Sequence, residues 1–309
     1  MSMLRKFPAI ALALTSLLAL GISPATALNI GVTPSRFEVE LNNNKTRTQS
    51  IRILNLSSEP LQIKAFVRSW VMSENNQLQD VTPGAESLDQ WIIFNPSQFT
   101  IPPRGAQTVR FSIRPRVKPK PGEHRAVIYF QEIPSANQLV DTKTKTNVIS
   151  TFGVVIYGYV GDVKRTGVVN SVAVDTKKKT PSAVFDISNQ GNAYVRLNGQ
   201  YTIWPADKYP GNAATKPIAN LGNPNTKIPA PLVDAGLLPS APVLPTNRRQ
   251  LRLPISRTLP PGKYVLDIKG DLSGVAVNKS IPFTISEPGV LEAQNKPNQP
   301  NLRNSLRRK

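Results

Sequence analysis

The chain has 309 residues, 39% of them hydrophobic, with no cysteine and 38 Lys or Arg against 19 Asp or Glu. That length suits two domains with adequate cores, and the missing cysteine excludes disulfides, thiolate metal sites and cysteine nucleophiles. The formal charge of +19 is scattered through strands and loops without a basic helix or interleaved aromatics. It therefore speaks against nucleic acid and leaves an acidic partner, an anionic envelope surface, or solubility alone.

Residues 1–27 read as a secretory signal. Arg5 and Lys6 supply a positive start, Pro8 to Leu20 an apolar run of 13 residues, and Ala25-Thr26-Ala27 a small-residue cleavage site before Leu28. An uncleaved N-terminal anchor is the alternative. Removing the two basic residues leaves +17, and no integral membrane segment is expected after cleavage. The longest later apolar run, Phe152 to Val160, has nine residues and two glycines, too few for a helical span.

After residue 28 the pattern is short alternating segments punctuated by Pro, Gly and Asn, with 29 prolines in the whole chain. This predicts an all-β protein. In "TPSRFEVE" (Thr33 to Glu40) the alternation changes parity. Ile30 and Val32 precede it on even numbers, and Phe37, Val39 and Leu41 follow on odd ones. One face of one strand cannot hold both sets. A first strand that crosses between two sheets near Pro34 resolves the conflict, and Arg36 stands at the crossing.

An internal repeat follows. "IRILNLSSEPLQIKAFVRSW" (Ile51 to Trp70) parallels "VFDISNQGNAYVRLNGQYTIW" (Val184 to Trp204), with 15 residues from Asn to Trp in both copies. "PRGAQTVRFSI" (Pro103 to Ile113) then aligns without a gap on "PTNRRQLRLPI" (Pro245 to Ile255). "PGEHRAVIYF" from Pro121 pairs with "PGKYVLDIKG" from Pro261. Strand, turn, strand to a Trp, then a Pro-Gly hairpin predicts two immunoglobulin-like β-sandwiches of about seven strands, with the Trp residues between sheets. Expected boundaries are 28–160 and 163–286. A Pro-rich insert at 205–244 reads as a surface loop with little structure of its own, and 287–309 as a basic disordered tail.

Chemistry is sparse. The one histidine, His124, has no nucleophile elbow to serve. Acids are scattered, no metal-ligand cluster is visible, and no Gly-rich loop opens a helix. No enzyme activity, cofactor, metal or catalytic residue is expected. A sandwich of this kind binds, and the candidate surface is "TNVISTFGVVIYGYV" (Thr146 to Val160). It is either a sheet edge that a partner strand can join or a buried last strand.

Together these segments resemble the periplasmic pilus-assembly chaperones, the PapD-like family of the chaperone–usher systems. The resemblance rests on the export signal, on "SRFEVE", and on "IRILNLSSEPLQIKAFVRSW" as second and third strands. "FNPSQFTIPPRGAQTVRF", "EHRAVIYFQEIP" as the F1 strand, and an apolar G1 strand after a polar loop complete it. It implies two immunoglobulin-like domains set in an L, and a partner class of secreted pilin-like subunits, with an outer-membrane usher beyond them. G1 would complete the subunit by donor-strand complementation, without nucleotide. Arg36 matches the cleft arginine that holds a subunit carboxylate. Val148, Ile149, Phe152, Val154 and Ile156 fall on the donor strand. Val154 stands where the family carries a lysine, the nearest upstream lysines being Lys143 and Lys145. Arg125 and Gly158 occupy two positions of a family interdomain salt bridge. A structural or adhesive envelope protein of the same fold is the alternative function, and a homodimer capped through G1 an expected self-association.

Overall fold

The computed structural model describes residues 30–41, 47–73, 77–134, 149–178, 180–255 and 257–286. The expected signal (1–27), the expected tail (287–309) and Val148 lie outside them. The chain folds as two β-sandwiches.

The first contains β1 (Ile30–Thr33), β2 (Arg36–Glu40), β3 (Arg47–Asn55), β4 (Leu61–Arg68), β5 (Trp70–Met72) and β6 (Leu78–Asp80). It continues with β7 (Ile92–Asn95), β8 (Gln98–Ile101), β9 (Ala106–Ile113), β10 (Gly122–Glu132) and β11 (Thr151–Val160). One sheet runs β1-β3-β9-β7 and the facing sheet β2-β11-β10-β4-β8, while β5 and β6 form a small ribbon. Alternation builds the layers. In β4, Leu61, Ile63 and Ala65 are buried while Gln62 and Lys64 face water. In β9, Val109, Phe111 and Ile113 are buried. Each fully buried aliphatic or aromatic side chain contributes about 1.5–3 kcal/mol.

The parity change at Thr33 to Glu40 is a change of sheet. β1 pairs antiparallel with β3, and β2 pairs parallel with β11. Ile30 is buried from the first sheet, and Val39 and Leu41 from the second. Phe37 packs edge-on to Phe111 across the same core.

The second sandwich contains β12 (Gly167–Asp175), β13 (Ser182–Asn189), β14 (Leu197–Pro205), β15 (Asp234–Leu237), β16 (Arg248–Pro254), β17 (Gly262–Leu272) and β18 (Val275–Ile285). Its sheets run β12-β13-β16 and β15-β14-β17-β18. The repeat extends to register. Ile51 faces Val109 in the first copy, as Phe185 faces Leu251 in the second. Phe66 likewise faces Tyr129, as Gln200 faces Lys269.

Two sequence expectations need correction. The insert is structured: it supplies β15 as an edge strand on β14, and its other end is tied to a buried carboxylate. Tyr209, Asn212 and Thr215 all donate hydrogen bonds to Asp267. A buried charge is tolerated when its lone pairs are filled, and a scan for periodicity does not see such a tether. The repeated Trp residues also lie elsewhere. Trp91 is the tryptophan of the first core. Trp70 is buried in a separate cluster with Val127, Tyr157, Tyr159, Ala193, Tyr194 and Leu244, which joins the two sandwiches. Trp204 is half-buried and donates to the Thr202 hydroxyl.

The connection between the sandwiches is pinned. Lys164 O accepts from the Asn192 and Ala193 amides, and Thr166 O from the Gln190 amide. The Asn192 side chain donates to Asp162 O and accepts from the Lys164 amide. The Asn turn of the second copy thus grips the linker.

Candidate functional site

β11 is the strand that differs along its length. On one side it pairs with β10 from Thr151 to Val160. On the other, β2 covers it only from Val155 to Tyr159, because β1 belongs to the opposite sheet. Among the described residues no strand covers Thr151 to Val154 on that side. The Glu132 amide donates to Ser150 O toward β10, and the Val155 amide donates to Ser35 O toward β2. The strand's period of two then turns the amides and carbonyls of Thr151 and Gly153 outward, where no described strand pairs with them.

Side chains alternate on the same strand. Val154 and Ile156 are fully buried in the first sandwich's own core. Phe152 packs against that core at its rim and is half-buried. Ile149, before the strand, is 47% exposed. Of the five donor-strand positions expected from sequence, Val154 and Ile156 are already used inside the domain. Phe152 and Ile149 border the open edge, and Val148 lies outside the described residues.

The uncovered edge ends at Arg36, which sits beside Val155 in the β2–β11 register. Its guanidinium approaches Glu38 through Nε at 3.3 Å, and its side chain is 46% exposed. Glu38 is the centre of a larger group. It accepts a hydrogen bond from the Tyr159 hydroxyl at 3.0 Å and another from the Tyr194 hydroxyl of the second sandwich. Arg165, from the linker, lies 3.8 Å away, with its guanidinium over the rings of Tyr159 and Tyr194. Partial burial pushes the Glu38 carboxyl up, but the two phenol hydrogen bonds and the charges of Arg36 and Arg165 outweigh it and hold the group below its ordinary value. Burial chiefly raises Tyr159 and Tyr194, so they stay neutral and donate to Glu38, and it pushes the neighbouring Tyr157 up to about 12.

A second polar link runs beside it. The buried Glu123 carboxylate accepts from Arg125 Nη1 at 2.8 Å and from the Tyr194 backbone amide at 2.6 Å. Arg125 also lies over the Trp70 ring. The positions of Arg125 and Gly158 suggested a missing interdomain ion pair, and Glu123 supplies a polar bond between the sandwiches instead.

Sequence reasoning named Arg36 and the strand that the fold places beside it, but not Glu38, Tyr159, Arg165 or Tyr194. Glu38 was within reach, since it shares a strand face with Arg36 at a spacing of two. Tyr194 and Arg165 come from distant segments, and only the fold brings them in. Val154 is buried, so no second cation stands there. Among the described residues, no group of three or more His, Cys, Asp or Glu side chains is arranged to hold a metal ion. No helix among them is long and apolar enough to cross a membrane.

Two immunoglobulin-like sandwiches, the first with a half-covered last strand, define the class of β-sandwich protein. Residues 31–153 match the pili and flagellar-assembly chaperone family, PapD N-terminal domain. The match spans most of the first sandwich. Solved structures similar to this chain include the class 5 fimbriae chaperone CfaA, at 12% identity over 84% of this chain and 100% of that one, TM-score 0.41. The YadV chaperone is 10% identical over 83% of this chain and 100% of its own, TM-score 0.43. The CsuC–CsuE chaperone–tip adhesion subunit pre-assembly complex from archaic chaperone-usher Csu pili of Acinetobacter baumannii is 11% identical over 82% and 98%, TM-score 0.41. A search of curated proteins finds no match.

Proposed function

We propose that this protein is a periplasmic chaperone that holds secreted pilin-like subunits by lending them the open edge of β11. The observation that carries the reading is the uncovered stretch from Thr151 to Val154, which stops at Arg36. A subunit lacking a strand exposes an unpaired sheet edge and a groove. Main-chain bonds from Thr151 and Gly153 would satisfy the first, and Phe152 with the residues before it would enter the second.

Arg36 gives that added strand a direction. A strand running parallel to β11 would bring its C-terminus to Arg36. One running antiparallel would bring an N-terminus, and an ammonium beside a guanidinium is repelled. A parallel strand ending in a carboxylate is therefore the favoured occupant, with the guanidinium as its anchor. In this reading residues 28–160 form the capturing domain and 163–286 the second domain. The usher receives the loaded complex, no nucleotide or metal takes part, and a second copy competes for the edge when no subunit is present.

Co-expression with a secreted subunit from the same envelope system, followed by purification of the complex, tests the proposal. Thr151→Pro removes an edge amide and leaves the β10 ladder in place, so capture should fail while the chain stays folded. Arg36→Ala should weaken capture about tenfold, the loss of one charge-assisted bond of about 1.5 kcal/mol. Capture by both variants at the parent's level would refute the edge. Permanent incorporation of the chain into a surface fibre would instead establish the structural or adhesive role.

A further inference from the structure

Glu38 is an odd partner for Arg36 if the arginine's only task is to meet an incoming carboxylate, because a resident carboxylate would compete. The geometry suggests another arrangement. Glu38 meets Arg36 through Nε, the stem side of the guanidinium, which leaves the Nη pair for a further bidentate contact. The rest of the Glu38 carboxylate is taken by donors of other segments: the Tyr159 hydroxyl from β11, the Tyr194 hydroxyl from the second sandwich, and Arg165 from the linker. Three segments and both sandwiches therefore meet on one carboxylate at the end of the open edge.

We infer that Glu38 is a positioning residue: it orients Arg36 and latches the second sandwich to the capture strand. This inference rests on the capture reading for its consequence, but the latch itself belongs to the free protein. Two guanidiniums and two phenols form a receptor for a carboxylate, and Glu38 is its built-in ligand. A carboxylate arriving at Arg36 would share this charge cluster, so occupancy of the edge and the seating of the second sandwich are linked through one residue.

The receptor can be tested without a subunit. In Glu38→Ala the thermal midpoint should fall by several degrees, since the cluster loses its carboxylate and keeps the Arg36 and Arg165 cations. Added acetate should recover part of that loss in Glu38→Ala while leaving the parent unchanged. Glu38→Ala/Arg165→Ala should show less recovery, and chloride at equal ionic strength none. Tyr194→Phe, which removes a single hydroxyl, should loosen the pairing of the sandwiches without unfolding either, read as faster proteolysis in 161–166. A Glu38→Ala chain with the parent's midpoint, or one on which acetate acts no better than chloride, overturns the latch. In the co-expression assay, Glu38→Gln should reduce capture severalfold, and it should add little to the loss in Arg36→Ala. Additive losses would overturn the positioning role. Failure of the parent chain to capture any subunit would remove the proposed function and leave the acetate result standing.

Discussion

Two asparagines at matching places in the repeat carry one job. Asn55 and Asn189 are 1% and 2% exposed, and each amide stitches a strand end to a neighbouring loop. Asn55 Nδ2 donates to Glu59 O, Ile101 O and Pro102 O, and its Oδ1 accepts from the Ser57 amide and hydroxyl. Asn189 Nδ2 donates to Ala193 O and Val243 O, and its Oδ1 accepts from the Gly191 amide. Only a side chain with both a donor and an acceptor can do this, which is why the repeat keeps Asn where a turn would accept Asp or Gly. Asn55→Ala strands several buried groups at once and should cost about 2–3 kcal/mol, measured as a lower urea midpoint at unchanged slope. Asn55→Asp should be no better above its own titration, because a carboxylate cannot donate. The role of these residues is legible in the sequence as a repeated position. That of Glu38 is not, because its partners are set by which segments the fold juxtaposes.

The linker and β11 show what alternation can and cannot tell. Alternation found the strands because one buried face per strand is enough to reveal them, and it found the crossing from β1 to β2 because parity fails there. It could not show that β2 stops covering β11 at Val155, since coverage depends on where the chain leaves the sheet. It also missed the insert, which is held by the polar tether to Asp267 at one end and by Leu238 and Val243 in the second core at the other. The linker depends on Gly191. A Cβ added there would lie 2.1 Å from Lys164 O and 2.7 Å from the Thr166 amide nitrogen, backbone atoms that cannot step aside singly. Gly191→Ala must push the linker off the Asn turn and break the bonds to Lys164 and Thr166. Its thermal midpoint should fall by about 5 °C, the effect of a local overpacking of 1–3 kcal/mol in a chain of this size. Differential scanning calorimetry would read it, and a parent-like trace would mean that the linker does not need that turn.

The whole molecule is two copies of one sandwich put to different uses. The second copy carries its insert strand β15 at one edge of a sheet and β18 at the other, and turns its Asn turn and Tyr194 toward the first. The first keeps an edge that is half covered and ends it at a charge cluster shared with the second. Relative placement of the sandwiches therefore matters to the edge, because Tyr159 and Tyr157 lie on the same strand as Thr151 and Gly153, only a few residues further on. Amide hydrogen exchange of the full chain, alone and with a co-expressed secreted subunit, tests the proposed capture most directly. In the free protein Thr151 and Gly153 should exchange quickly while Phe152 and Val154, bonded to β10, exchange slowly. On capture Thr151 and Gly153 should become protected together. A bound complex in which both still exchange as in the free chain would contradict the claim that this edge holds the partner.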